Sequence, residues 1–416
     1  MIYELKFGNK KLEVNIPEKN LMKTILPNDV KSLEKPLLEV KRALSEPIES
    51  KKLKELVNTD DEVVILASDI SRPAPSYLLI PPIVEELNEA GIRDKQIKIV
   101  FGLGVHRKQT PEEKEKLVGK EIFDRIECID HDVDSCRYVG TTTRGTKAEV
   151  FDQVLNADFI IATGNLEYHY FAGFSGGAKA LAPGVCSWET IKKNHQRFLD
   201  PLARSGQIEG NPVREEIEEI GEMVGVDFMC NAVLNSSKEV IKVVAGDVTA
   251  AHRVGKEYIE NIYKSEIEEL ADIIVISPGG MPKDIDLYQS HKAMENASLA
   301  VKKGGKIIIA ANCQDGLGEE NFAEALTSGL SPDELINELE EQFILGRHKA
   351  SRIAMIHKES EIFLISSLDE KIKRELFVRN YEDINEAVND AIEELGPEAK
   401  ILVIPYGIST LPQLKE

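Results

Sequence analysis

Apolar, largely β-branched residues gather in seven short runs along this chain: EVVILAS (62–68), IKIVFGLG (97–104), DFIIATG (158–164), DIIVISPGG (272–280), GKIIIAA (305–311), EIFLISS (361–367) and KILVIPYG (400–407). Near-continuous runs of this length mark strands that are buried on both faces. Between them, stretches such as SYLLIPPIVEELNEAG and ENASLAVKKGG repeat apolar residues at helical spacing. This alternation predicts an α/β chain whose mainly parallel sheets are flanked by helices. Two departures are visible: MIYELKFGNKKLEVNI at the start alternates like a two-stranded ribbon, and VDFMCNAVLNSSKEVIKVVAG reads as a hairpin turning at Asn235-Ser236-Ser237. The helical stretch DVTAAHRVGKEYIENIYKSEIEELA separates two series of strands. It places a domain boundary near residue 267, giving domains 1–266 and 267–416, with the last ten or so residues expected to pack back on the first domain.

In parallel α/β sheets, ligands collect at the carboxyl ends of strands, where loops converge and helix N-termini point inward. Four loops at that position carry polar residues. Asp69-Ile70-Ser71-Arg72-Pro73 follows the first run, GLGVHRKQT with His106 follows the second, and Asn165, Glu167, His169 and Lys179 follow the third. Tyr288-Gln289-Ser290-His291-Lys292 follows the fourth. Their placement predicts an active site in a cleft between the two domains.

Length and composition, 416 residues with 42% hydrophobic and 30% charged, suit a globular protein of about two domains. No run approaches the ~20 apolar residues of a membrane span, and no secretory leader is evident. Five cysteines without a CxxC pair encode neither a disulfide framework nor a thiolate zinc site, which points to the cytoplasm. The net charge of −21 disfavours nucleic acid, and an anionic substrate would need a local positive pocket. The sequence carries no mark of oligomeric state.

Each cluster has a plain structural reading beside a chemical one. Asp69 and Arg72 form either a turn ion pair or a place where Arg72 holds a carboxylate in its fork. His106 is either a loop histidine or an acid/base. His169, among Tyr168, Tyr170 and Phe171, is either a packed ring or a partnered catalytic one. GFSGGAK approaches a phosphate loop, but Ala178 and Ala180 flank the lysine, so it is not a Walker motif. Gly176 and Gly177 would allow close backbone approach to a ligand, and a desolvated Lys179 can act as a nucleophilic amine. His195, in IKKNHQ, is a metal ligand only if the fold brings it to the lysine loop.

Taken together, SDISRPAP (68–75), GLGVHRKQT (102–110), GNLEYHYFAGFSGGAKALAPG (164–184), KKNHQ (192–196) and DLYQSHK (286–292) resemble the nickel-dependent lactate racemase family, in order and across about two thirds of the chain. The resemblance implies a nickel-pincer nucleotide joined covalently to Lys179, with His195 as a nickel ligand and Gly176 and Gly177 against the cofactor. It implies His106 and His169 as the two acid/bases. Arg72, Tyr288, Gln289 and Lys292 would hold substrate, with Asp69 orienting Arg72; His291 has no implied role.

The reaction implied is racemisation of a small 2-hydroxy acid, lactate first, by hydride transfer from C2 and back. Imidazoles suit it because their unperturbed pKa of about 6.5 lies near working pH. Proteins that make and insert the cofactor are implied partners, and a sample made without them would lack it. A malate-like or sugar-acid substrate in the same family is the nearest alternative. Two further readings are a Schiff-base lysine lyase built on Lys179 and a protein that only stores the cofactor.

Overall fold

Each of the seven apolar runs is a strand of one of two six-stranded sheets, and each sheet belongs to its own compact unit. The computed structural model describes residues 1–28, 30–341 and 343–415. One unit is Asp29–Ile262; the other joins Met1–Asn28 to Tyr263–Glu416.

In the first unit the strand order is Val240–Gly246, Phe228–Leu234, Phe159–Leu166, Val63–Ser68, Ile97–Gly102, Glu127–Asp130. All neighbours are parallel except the edge strand Val240–Gly246, which is the return arm of the expected hairpin. From Val63–Ser68 the chain moves outward through the next two strands, then returns to lay Phe159–Leu166 on the opposite side. The strand order therefore reverses between Val63–Ser68 and Phe159–Leu166, and loops leaving those two strands diverge around a crevice. Helix Ser76–Glu89 covers one face through Leu79, Ile80, Ile83 and Leu87, packed on Ile65, Ala67 and Ile161. The other face is covered by Val150, Val154, Leu181, Val185 and Ile191.

The second sheet is parallel throughout, in the order Arg379–Tyr381, Glu361–Ile365, Val301–Ala310, Ala271–Ile276, Ile401–Ile404, Leu21–Thr24. Its order reverses between Ala271–Ile276 and Ile401–Ile404. The ribbon Ile2–Phe7 with Lys10–Asn15 pairs as expected and buries Leu5 and Val14 against this sheet.

Two expectations about domains differ from what is found. The first 28 residues, placed with the first domain from sequence, belong to the second unit, because Leu21, Lys23 and Thr24 pair with Ile401, Leu402 and Val403. The last residues do not return to the first domain either: Leu411–Leu414 pairs in parallel with Lys264–Ile267 inside the second unit. The chain crosses between units at Tyr263, four residues ahead of the expected boundary. Among the described residues no helix is long and apolar enough to cross a membrane.

Candidate active site

Strand Val63–Ser68 delivers Asp69 to the carboxyl edge of its sheet, where the residue is only 4% exposed. Its Oδ1 accepts the Ser71 N–H at 2.7 Å, and its Oδ2 lies 3.1 Å from His106 Nδ1. Burial works to raise the Asp69 pKa, but the hydrogen bonds from His106 and Ser71 prevail and hold it down to about 2. An ionised carboxylate can only accept, so His106 Nδ1 carries the hydrogen, and in the neutral ring Nε2 is the basic nitrogen. The two loops are tied together behind this pair. Ile70 N–H donates to Gln109 Oε1 at 2.7 Å, and Gln109 in turn donates to Asp130 from its backbone and side chain at 2.9 and 3.1 Å. Gly104 N–H donates to the Gly184 carbonyl at 2.9 Å, joining the His106 loop to the segment that follows Lys179. Beside His106 opens a cavity of about 270 Å3, whose lining includes Leu103, Val105, His131 and Trp188.

The Asp69 carboxylate engages His106 and Ser71, and among the described residues Arg72 meets Asp69 through the backbone, Arg72 N–H to Asp69 O at 3.1 Å. The Arg72 side chain is exposed and still acts electrostatically on Lys179.

Strand Phe159–Leu166 leads to a small ribbon in which Tyr168–His169 pairs with Gly173–Phe174. His169 stacks on Tyr170 with ring centres 5.2 Å apart and meets Phe171 edge-on at 4.5 Å. The Ala172 N–H donates to His169 Nδ1 at 3.2 Å, so in this arrangement Nε2 holds the ring hydrogen. The two imidazoles thus present opposite faces of their chemistry, a lone pair from His106 and a hydrogen from His169.

Lys179 sits on the single turn Gly177–Ala180. Burial, followed by the charges of Arg72 and Arg214, pushes its amine down to about 7 against the opposing pull of Glu167 and Asp69. His195, on helix Trp188–Gln196 capped by Ser187, is pushed down to about 3 by burial and then by the Lys179 charge, and Phe171 packs edge-on against it at 5.0 Å. A neutral imidazole is the form that binds metal. Among the described residues no three His, Cys, Asp or Glu side chains form a metal cage.

Gly176 and Gly177 have positive φ of 77° and 59°. A Cβ at Gly176 would lie 2.6 Å from Asn231 Oδ1 and 2.7 Å from Leu166, and one at Gly177 would lie 3.0 Å from His252. A side chain at either position would collide with these neighbours, and the Gly177 N–H is used by Asn231 Oδ1 at 2.8 Å.

The supports of this loop come from residues that sequence reasoning passed over. Arg214, 1% exposed, pairs with Glu218 at 2.7 Å and donates to the carbonyls of Phe174 and Gly176 at 3.3 and 3.4 Å. Glu218 also takes both forks of Arg253 at 2.9 Å. Arg253 donates to His252 Nδ1 at 3.2 Å, and the far nitrogen of His252 donates to the Ser175 carbonyl at 2.9 Å. Burial and then the Arg214 charge hold His252 well below the usual range, so it stays neutral and its tautomer is fixed. The available signal was an arginine in line with Ile217 and Gly221 on the buried stripe of helix Pro212–Val224.

In the second unit, Tyr288, Gln289 and Lys292 lie on the first turns of helix Leu287–Ser298, whose cap Asp286 accepts the Gln289 N–H at 2.6 Å. Lys292 Nζ donates to Gln289 Oε1 at 3.1 Å, and Lys349 Nζ lies 3.3 Å from the Tyr288 ring centre. His291 is fully buried with Nδ1 2.6 Å from the Tyr288 carbonyl. Burial, then Lys349 and Lys292, holds it neutral, so it braces this helix from within.

Comparison with known proteins covers the chain from end to end. Residues 7–206 match the lactate racemase N-terminal domain and residues 267–411 the lactate racemase C-terminal domain. A lactate racemase of Thermoanaerobacterium thermosaccharolyticum is 31% identical over 425 aligned residues, covering 99% of each chain. One of Lactiplantibacillus plantarum is 32% identical over 383, covering 89% of this chain and 90% of the other. Among solved structures, the lactate racemase apoprotein from Thermoanaerobacterium thermosaccharolyticum superimposes with a TM-score of 0.88 at 30% identity over the whole of both chains. A Thermotoga maritima protein shares the fold, with a TM-score of 0.64 at 19% identity over 94% of this chain and all of the other. With end-to-end identity above 30% and matches to both of its domains, this chain belongs to the lactate racemase family, a family of isomerases.

Proposed function

We propose that the protein interconverts the D and L forms of a small 2-hydroxy acid, lactate first, with a nickel-pincer nucleotide carried on Lys179. The observation that carries this reading is the meeting, at the strand-order reversal of one sheet, of the Asp69–His106 pair with an enclosed Lys179 and a neutral His195. The residues fit the cofactor. An amine lowered to about 7 is partly neutral at working pH and so can be acylated, and His195 is held in the form a metal accepts. When bound, the cofactor would supply a hydride acceptor and donor for C2 of the substrate.

The chain's own groups do the rest. His106 takes the substrate hydroxyl proton at Nε2, because Asp69 fixes the opposite tautomer and stabilises the imidazolium that forms. His169 serves the opposite face. To act there, its Nδ1 must release the Ala172 N–H and carry a hydrogen: the imidazolium then donates its Nε2 proton to the oxygen, and in the reverse direction the neutral ring takes that proton back at Nε2. Arg72 provides the cation for the substrate carboxylate, in a chain whose net charge of −21 would otherwise repel it. Tyr288, Gln289 and Lys292 are the second unit's substrate contacts. The five free cysteines suit a reducing cytoplasm.

The test is intact mass and nickel content of protein co-produced with the cofactor-making enzymes, peptide mapping of Lys179, and chiral analysis of product from D- and L-lactate. A nickel-bearing adduct on Lys179 with turnover of both enantiomers is expected. An unmodified Lys179 in such a sample would remove the cofactor reading. The lowered amine would then favour the Schiff-base lysine, which borohydride trapping with a carbonyl substrate detects.

A further inference from the structure

Helix Arg347–Glu359 packs against helix Leu287–Ser298 in the second unit and reaches it with two cations. Arg352 directs its Nε–H to both carboxylate oxygens of Glu295 at 2.9 Å, with side chains 11% and 4% exposed. That pair is balanced in charge and links the two helices. One turn earlier, Lys349 is only 7% exposed and lays its Nζ 3.3 Å from the centre of the Tyr288 ring. Burying an ammonium is costly, and a residue that serves only to fill space between helices needs no charge. A desolvated cation on the face of an aromatic ring is the geometry in which its attraction to the ring is strongest.

The rest of the surroundings converge on the same ring. The Tyr288 N–H donates to the Leu317 carbonyl at 3.0 Å, and Phe322 meets the Tyr288 ring edge-on with centres 5.4 Å apart. The Phe322 N–H donates to the Glu319 carboxylate at 2.9 Å. The helix that carries Lys349 starts from Gly346, at a φ of 91°, where a Cβ would run into that same carboxylate. Tyr288 is thus held at its backbone, at its edge and on its face, and the face contact is the one that depends on a charge. Beside it on the helix, Gln289 and Lys292 are half-buried, as Tyr288 is, and joined by the Lys292 Nζ to Gln289 Oε1 hydrogen bond at 3.1 Å.

We propose that Lys349 is a positioning residue for substrate binding, which by lying on the Tyr288 ring fixes that ring beside Gln289 and Lys292. The proposal rests on the reading of Tyr288, Gln289 and Lys292 as substrate contacts.

The test uses the full-length, cofactor-loaded enzyme and initial rates of lactate racemisation at constant ionic strength. Lys349→Met keeps the length of the side chain and removes its charge. It is expected to raise KM about tenfold while kcat stays within about threefold, the pattern of binding lost equally from ground and transition states. Lys349→Arg, whose guanidinium also stacks on a ring, is expected to return KM to within about threefold of wild type. In a Tyr288→Leu background, Lys349→Met is expected to change KM by less than about twofold, because the ring it acts through is gone. In the apoprotein, the midpoint losses of the two single variants are expected to fall short of adding in the double variant, as for side chains in contact. An unchanged KM in Lys349→Met, even with a lower melting midpoint, would reduce Lys349 to packing and overturn the proposal. A rise in KM that persists undiminished without the Tyr288 ring, or strictly additive midpoints, would overturn it as well. Should Lys349→Met fail to fold, Lys349→Gln is measured and judged in the same way. The racemase reading fails separately, on wild type, through an unmodified Lys179 and no turnover of either enantiomer; an active wild type beside an unaffected Lys349→Met sinks only the role of Lys349.

Discussion

Replacing Asp69 with asparagine tests the heart of the site, because asparagine keeps the shape and the acceptor oxygen while removing the charge opposite His106. The Asp69 carboxyl lies at about 2 in the folded protein against an ordinary value of 3.8. At 1.36 kcal/mol per unit this depression corresponds to roughly 2–3 kcal/mol. Because the His106 side chain is 40% exposed, solvent screening reduces the figure to about 1–2 kcal/mol. The folded value lies below the unfolded one, so this contribution is present in full above about pH 4 and is lost as pH falls toward 2. Thermal unfolding of wild type and Asp69→Asn should therefore differ most between pH 5 and 7, at about 2–4 °C per kcal/mol for a unit of this size. The gap should shrink to about half by pH 3 and close as the pH nears 2. In cofactor-loaded protein the same change should lower kcat by about tenfold to a hundredfold, since asparagine no longer stabilises the imidazolium. A midpoint difference that stays constant from pH 6 to pH 3, or an unchanged kcat, would refute the Asp69–His106 pairing as the source of both effects.

His106→Ala and His169→Ala should each keep the Lys179 adduct and its nickel while losing racemisation by about 10²–10⁴-fold, and full activity in either variant would remove that imidazole from the reaction. Arg214→Met takes a buried cation from Glu218, which retains Arg253, so a cost near the lower end of about 3–5 kcal/mol is expected as a fall in unfolding midpoint. An unchanged midpoint would show that Arg253 alone suffices. Gly173→Ala places a Cβ 2.0 Å from the Gln207 carbonyl oxygen at a φ of 74°, whereas Gly145→Ala, with φ 81° and nothing within 4 Å, meets only backbone strain of about 1–2 kcal/mol. The first should unfold well below the second in a side-by-side melt, and equal midpoints would mean that the 206–207 turn yields easily.

The strands that carry the site were legible because a strand buried on both faces has little choice but an apolar run, and VVILAS and FIIATG are such runs. The loops were legible for the complementary reason: Asp69, His106, His169 and Lys179 are polar residues stationed directly after buried strands. What escaped is long-range or masked by periodicity. Leu21–Thr24 reads as nothing in isolation, and its strand identity comes from Ile401–Ile404 at the far end of the chain. Arg214 and His252 lie on the buried stripes of amphipathic helices, but a polar residue there does not name its partner, and only the folded loop Phe174–Gly177 reveals what they hold. The Asp69–His106 pair was hidden because the two lie thirty-seven residues apart in sequence and meet only in space.

The insertion of one unit into the other has a consequence for biosynthesis. The strand Leu21–Thr24 emerges from the ribosome early, but its partner Ile401–Ile404 is made almost last, roughly tens of seconds later at ~5–20 residues per second. The unit Asp29–Ile262 is complete before then and can fold on its own schedule. The opening ribbon and its neighbouring strand must wait, with Leu5 and Val14 uncovered. Cells producing this protein should therefore depend on a holding chaperone for its first 28 residues more than for the unit Asp29–Ile262, and premature termination before residue 401 should leave that unit attached to a sticky, unfinished sheet.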